Sequence, residues 1–249
     1  MNLVAPFYKG LVRLESQDSM ALITKRDPIT GDDISDERYV QLVGGATKDA
    51  TELVQNISRA ATAALFAAHQ KQNGIASRLI TVEGCPQIVG GQPMMGADIM
   101  ESVWSRIVPQ EIISALPFPI IERISDCTVR EARAILAQIR DGGTVQGITH
   151  DYHQGRVQKI LREEAGGDQE IPDVLTPEQI IELVGGEQPS YRFIADLVKA
   201  GAPTSETVQG ERKKEKLIYV PLHAISRLGE KLSFGKFNLE MLLAKKMRK

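Results

Sequence analysis

Between His150 and Arg156 the chain gathers five side chains able to move a proton or hold an anion: His150, Asp151, Tyr152, His153 and Arg156. On a helix, residues three apart share a face. His153 and Arg156 would therefore point the same way, an imidazole acting as acid, base or donor near neutral pH beside a guanidinium that forks onto a phosphate or carboxylate. The plain alternative is a surface histidine and arginine at a helix start. His150 and His153 are spaced like two ligands of a metal ion, but no third ligand is set by the flanking sequence, so no metal is expected.

Such a pair needs an element to present it. Thr144 to Leu161, TVQGITHDYHQGRVQKIL, reads as a β-strand ending at Thr149, a turn, and a helix carrying Arg156. An open α/β sheet holds its ligands at the carboxyl ends of its strands. Similar units come before it. Arg38 to Gly45, RYVQLVGG, reads as the first strand, closing on Gly44 and Gly45, with Ser19 to Thr24, SMALIT, as its rival. From Asp49 to Gln72, Leu53, Ile57, Ala60, Ala61, Ala64, Leu65 and Ala68 recur at helical spacing, a crossover helix with one buried face; Arg59, mid-helix among alanines, reads plainly as a residue of the exposed face. Arg78 to Val82 is a second strand, ended by Glu83 and Gly84. Gly90 and Gly91 open a flexible loop able to close over a ligand, ahead of a helical stretch from Ala97 to Ile107. Pro119 to Ile124 is a third strand with Glu122 near its end, either a ligand contact or a solvated terminus. A helix from Thr128 to Arg140 follows, where Thr128 and Glu131 match the capping box.

Parallel neighbours require crossovers, so four strand and helix units joined by short connections predict one fold. It is α/β: a doubly wound, mainly parallel, Rossmann-like sheet with helices on both faces and a mostly helical C-terminal extension. Residues 1–37 form an N-terminal segment with an acidic loop, 38–165 the core, and 166–249 an extension packing on it. Within the extension, Thr176 to Val184 is a helix with Thr176 as N-cap and Tyr191 to Ala200 a second one. Gln209 to Lys216 is a solvated charged link, Leu217 to Leu222 an edge strand, and the tail from Ser233 a terminal helix. The strand ends then bring Gly44, Gly45, Glu83, Gly84, Glu122, Thr128, Thr149 and His153 to one crevice, where glycines admit close approach of a ligand to backbone amides.

Composition narrows the functions. The 249 residues are 42% hydrophobic and 25% charged, ordinary for a globular chain, and the net charge of −2 offers no global positive field for nucleic acid. Aromatic residues at 5% do not build a single-strand stacking platform. No apolar run reaches the roughly 18 to 20 residues that span a bilayer, and the first residues lack an export pattern, so a cytoplasmic protein is expected. Cys85 and Cys127 are too few for a disulfide framework and are expected to be reduced. No GxGxxG after a strand, GxxxxGK[ST], HExxH or GxSxG occurs.

The segment ITHDYHQGRV, Ile148 to Val157, resembles a strand-end motif of the YdcF/SanA/ElyC-like family, bacterial proteins with a Rossmann-like fold. The resemblance spans about Tyr39 to Ala165. It includes VPQEII at Val108 to Ile113, IIERISDCTVREA at Ile120 to Ala132, LVGG at Leu42 to Gly45, Arg59 on the first helix, and VEG at Val82 to Gly84. The chain departs from the family pattern at Glu83-Gly84-Cys85, at Cys127, at Glu131 and at Ala97-Asp98. What the resemblance implies is a small nucleotide-like or phosphorylated ligand, S-adenosylmethionine among the candidates. Arg59 and Arg156 would hold its anionic part, Glu122 would accept its hydroxyls, and His153 rather than His150 would serve as acid or base. Two other classes stay open: a non-catalytic interaction protein using the basic segments Lys213 to Lys216 and Lys245 to Lys249, and a phosphatase or transferase acting on an envelope-related phosphate.

Overall fold

The first strand of the sheet comes from the opening residues of the chain. In a computed structural model, which describes residues 1–7, 12–125, 127–139, 143–166, 170–214 and 217, the strands are β1 (Asn2–Pro6), β2 (Arg13–Leu14), β3 (Ser77–Glu83), β4 (Pro86–Val89), β5 (Gln92–Met95), β6 (Ile120–Ser125) and β7 (Val145–Ile148). The α-helices are α1 (Ala21–Thr24), α2 (Asp36–Gly44), α3 (Thr51–Gln72), α4 (Gly96–Ser102), α5 (Gln110–Ile113), α6 (Thr128–Leu136), α7 (Asp151–Ala165), α8 (Pro177–Val184), α9 (Pro189–Ala200) and α10 (Ser205–Lys214).

The main sheet is parallel, in the order β6-β3-β1-β7, and Leu175 bridges Ile148 in parallel, on β7. The chain winds outward from β1 through β3 to β6, then returns across the sheet to β7 on the other side of β1. The reversal falls between β1 and β7, the topological switch point where such sheets open a crevice. One face of the sheet, with Val4, Leu79 and Ile148, packs with α3. The other, with Leu3, Ala5, Phe7, Ile80 and Val82, packs with α6 and α7. Helices therefore cover both faces, as the alternating pattern predicts.

Helix α3 departs from the expected one-sided pattern, because every residue from Leu53 to Ala68 is buried. A helix enclosed all round is a core element. The sheet covers one side, and α2 caps the α9 that lies with α8 along another. Six alanines between Ala60 and Ala68 keep the cylinder thin enough for this. At Gly201, just past α9, a Cβ would sit 2.7 Å from Ser58 Oγ and 2.8 Å from Val54 Cγ1. The Trp104 indole donates to the Ala60 carbonyl at 2.8 Å, which fixes the turn after α4 against the same helix.

Several expected elements take other forms. RYVQLVGG is the body of α2, not a strand: the Ser35 hydroxyl accepts from the Arg38 amide, Asp36 and Glu37 suit the positive helix start, and Tyr39 and Val43 are buried one turn apart. SMALIT is a 3₁₀ turn running into α1, opened by Ser16 and closed by Lys25 in the left-handed region, φ 54°. Residues ahead of position 38 thus supply the central strand as well as two short helical turns. Gly90 and Gly91 form the two-residue turn of the β4–β5 hairpin, with φ of 61° and 70°, and are not a mobile flap. Gln17 Nε2 donates to Gly90 O at 2.6 Å and the Gly90 amide donates to Ser19 Oγ at 2.9 Å, which pins that turn. At α6 the cap position belongs to Cys127, whose carbonyl accepts from the Glu131 amide, so Thr128 is the first helical residue and not its N-cap. Thr176 does cap α8, in a full capping box with Gln179. The charged link is helical through Lys214 as part of α10. The strand from Leu217 to Leu222 and the terminal helix lie outside the described residues, apart from Leu217. Among the described residues no helix is long and apolar enough to cross a membrane.

The β3–β6 edge gives a stability prediction. A Cβ at Gly84 would lie 2.6 Å from the backbone oxygen of Arg123, which cannot rotate away, whereas one at Gly155 on α7 would meet nothing within 4 Å. Gly84→Ala should lower the unfolding free energy by about 1–3 kcal/mol, and Gly155→Ala should raise it by about 0.5–1 kcal/mol. Urea unfolding of the two variants checks both signs.

Candidate functional site

The enclosed helix α3 carries a polar stripe. Glu52, Gln55, Asn56 and Arg59 recur at three and four, so they share a face over its first turns. Gln55, Asn56 and Arg59 are fully buried. Arg59 donates to Asn56 Oδ1 and, at 3.2 Å, to the Tyr152 hydroxyl, and that hydroxyl donates to Gln55 Oε1. This network joins α3 on one face of the sheet to the start of α7 on the other, at the switch point.

Arg59 is the costly member. Among the described residues no carboxylate lies within ion-pair distance of it, and its Nε has no hydrogen-bond partner. Leaving a charge in the interior with neutral partners alone costs several kcal/mol relative to a compensated pair.

The start of α7 places the motif seen in the sequence. His150 is the N-cap and the His153 amide donates to its carbonyl at 2.9 Å. Both imidazoles are buried, at 1% and 0% exposure, and the His150 ring stacks on Tyr152 with centroids 6.0 Å apart. Arg156 follows one turn on, half-buried. Thr149 ends the strand fully buried; its amide donates to Leu175 O at 3.0 Å while its hydroxyl has no partner. Arg59 thus meets Tyr152 from α3, while Thr149, His153 and Arg156 adjoin that tyrosine along the chain.

The other expected residues divide in two. Glu83, Gly84 and Thr128 lie at the neighbouring ends of β3 and β6. Glu83 is 5% exposed and accepts from the Cys85 amide at 2.7 Å, closing the turn after its strand, and Gly84 serves the close passage of β3 and β6. Gly44, Gly45 and Glu122 are not part of the crevice. The two glycines end a helix whose Gly44 faces Ala200. Glu122 sits within β6 and accepts from Gln138 Nε2 at 2.9 Å, which ties the strand to the segment after α6.

Sequence reasoning passed over Glu52, Gln55, Asn56 and the role of Tyr152. Their signal was present: four polar residues, Glu52, Gln55, Asn56 and Arg59, on one stripe of an alanine-rich helix. It passed over α10 as well. Glu211 there is 9% exposed, and Arg212 pairs with Asp151, the first residue of α7, at 2.5 Å. Burial pushes the Tyr152 hydroxyl far above the ordinary tyrosine range; the Arg59 charge opposes that shift, while Glu52 and Glu211 reinforce it. Both carboxylates therefore act on the same hydroxyl. Among the described residues no group of three His, Cys, Asp or Glu side chains is placed to hold a metal ion. Comparison with family models, with curated proteins and with solved structures gives no significant match.

Two tyrosines make the site titratable from outside. Tyr39, which donates to the Leu22 carbonyl at 2.5 Å, is fully enclosed, and burial raises its hydroxyl as it does that of Tyr152. An unfolded chain ionises tyrosine near pH ~10. The stability these neutral hydroxyls contribute is therefore complete below that pH and is lost as pH rises above it. In an alkaline titration followed by tyrosinate absorbance and circular dichroism together, at least two of the five tyrosines should ionise only as the helical signal is lost.

Proposed function

We propose that this chain is a YdcF-like, cytoplasmic protein that binds a small anionic molecule, nucleotide-like or phosphorylated, at the switch point between β1 and β7. The observation that carries the proposal is Arg59: a fully buried guanidinium with no carboxylate in ion-pair range among the described residues, at the place where a doubly wound sheet opens its crevice. An anion bound there would compensate the charge. The amide-lined start of α7 and the unpartnered Thr149 hydroxyl favour the same class of ligand. Arg156 is the second cation assigned to it, and His153 the acid or base if the ligand is turned over. S-adenosylmethionine, whose carboxylate would meet Arg59, belongs in the set of ligands on the strength of the family resemblance. Glu122 has no role in this proposal, because it sits within β6 and not at a strand end.

A thermal-shift series with nucleotides, sugar phosphates and S-adenosylmethionine tests it. A ligand present at about 100 times its dissociation constant should add about 2.7 kcal/mol to the unfolding free energy. Arg59→Met should abolish that gain, and Arg156→Met should reduce it. A full shift in Arg59→Met would sink the assignment, as would a wild-type protein that responds to none of them.

A further inference from the structure

We infer that the α3 stripe is a two-ended site whose ligand carries hydroxyl groups as well as its anion, the class of phosphorylated sugars and nucleoside phosphates. The inference rests on the anion-binding proposal above and adds the other half of the molecule.

Its basis is a set of polar atoms that the fold encloses without hydrogen-bond partners among the described residues. They are Glu52 Oε2, Gln55 Nε2, Arg59 Nε, Thr81 Oγ1 and Thr149 Oγ1. Buried polar groups are normally satisfied, and each exception requires a reason. Four of them stand on facing elements. Glu52, Gln55 and Arg59 stand on one face of α3 at intervals of three and four. Leu79 belongs to the α3 side of the sheet, and Ile80 and Val82 to the opposite side, so alternation turns Thr81 toward α3. Register puts Thr81 at the level of the carboxyl end of β1: Val4 is paired with both Leu79 and Gln146, and Pro6, two residues on, with Ile148. Thr149 follows β7, and because Ile148 belongs to the α3 side, alternation turns Thr149 toward α7.

The chemistry of the set is asymmetric. Arg59 and the Gln55 amide are donors, the threonines donate or accept, and Glu52 offers an oxygen that only accepts. Glu52 and Arg59 are seven residues apart, about 10 Å along the helix axis. An inorganic anion would satisfy only the Arg59 end. A molecule with its anion at Arg59 and hydroxyls reaching Gln55 and Glu52 matches the whole stripe. Glu52 thereby takes the hydroxyl-accepting role that the family resemblance assigned to Glu122.

Isothermal titration of the full-length protein with inorganic phosphate, ribose 5-phosphate and ribose decides the matter. Ribose 5-phosphate should bind about tenfold or more tightly than phosphate, the worth of one hydrogen bond to a charged group. Glu52→Met should remove that advantage while leaving phosphate affinity unchanged, and Arg59→Met should weaken both. Equal affinity for the two anions, or an advantage that survives Glu52→Met, overturns the hydroxyl site and leaves the anion proposal standing. Absence of binding by either anion overturns both. Urea unfolding without ligand is the second measurement. If the stripe is kept for a ligand, Glu52→Met is at least as stable as the natural chain, because an enclosed, uncompensated oxygen has been removed. A clear loss of stability marks Glu52 as structural and overturns the inference.

Discussion

The enclosure of α3 is the constraint on which the rest of this structure depends. A helix buried on every side gives up the usual division between an apolar face for the core and a polar face for water. Every residue on it must then suit the interior. Alanine does so by being small, which lets the sheet and α9 approach closely. Ser58 and Thr62 do so by turning their hydroxyls back onto the helix, Ser58 to the Val54 carbonyl at 3.2 Å and Thr62 to the Ser58 carbonyl at 2.8 Å. Arg59 is met only in part on its own helix, by Asn56 Oδ1, and it reaches on to the Tyr152 hydroxyl of α7.

That reach sets the architecture of the switch point. The network of Arg59, Gln55, Asn56 and Tyr152 holds the beginnings of two helices that belong to opposite faces of the sheet. A buried network of this kind is expensive unless complete, and this one is incomplete at Arg59 Nε and Gln55 Nε2. An apolar set of similar volume would serve packing at lower cost. The polar set is therefore hard to explain by packing alone, and its place at the carboxyl end of the strands gives it a use.

How much of this was legible in the sequence depends on the range of the forces involved. Strands β3, β6 and β7 and helices α3, α7, α8 and α9 were readable because their periodicity and caps are local. Thr176, Pro177 and Gln179 announce α8 almost completely. RYVQLVGG misled because a short run of β-branched and aromatic residues fits either period, and the deciding feature, Ser35 with two acids behind it, lies just outside the run. β1 was passed over because NLVAP is five residues with no alternation. A central parallel strand, buried on both faces, needs none. The site was half legible. His153, Arg156 and Thr149 sit on local elements and could be placed. The burial of Arg59 could not be read, because Tyr152, which meets it, arrives from 93 residues away in sequence.

The ion pair between Arg212 and Asp151 has a thermodynamic consequence. It joins α10 to the first residue of α7, and both its side chains are about half exposed, so by itself it is worth no more than about 1 kcal/mol. Beneath it, Glu211 and Arg59 exert opposite influences on one tyrosine hydroxyl. A contact this weak makes the docking of α10 on α7 responsive to ionic strength, which screens an exposed pair and spares an enclosed contact such as that of Arg59 with Tyr152.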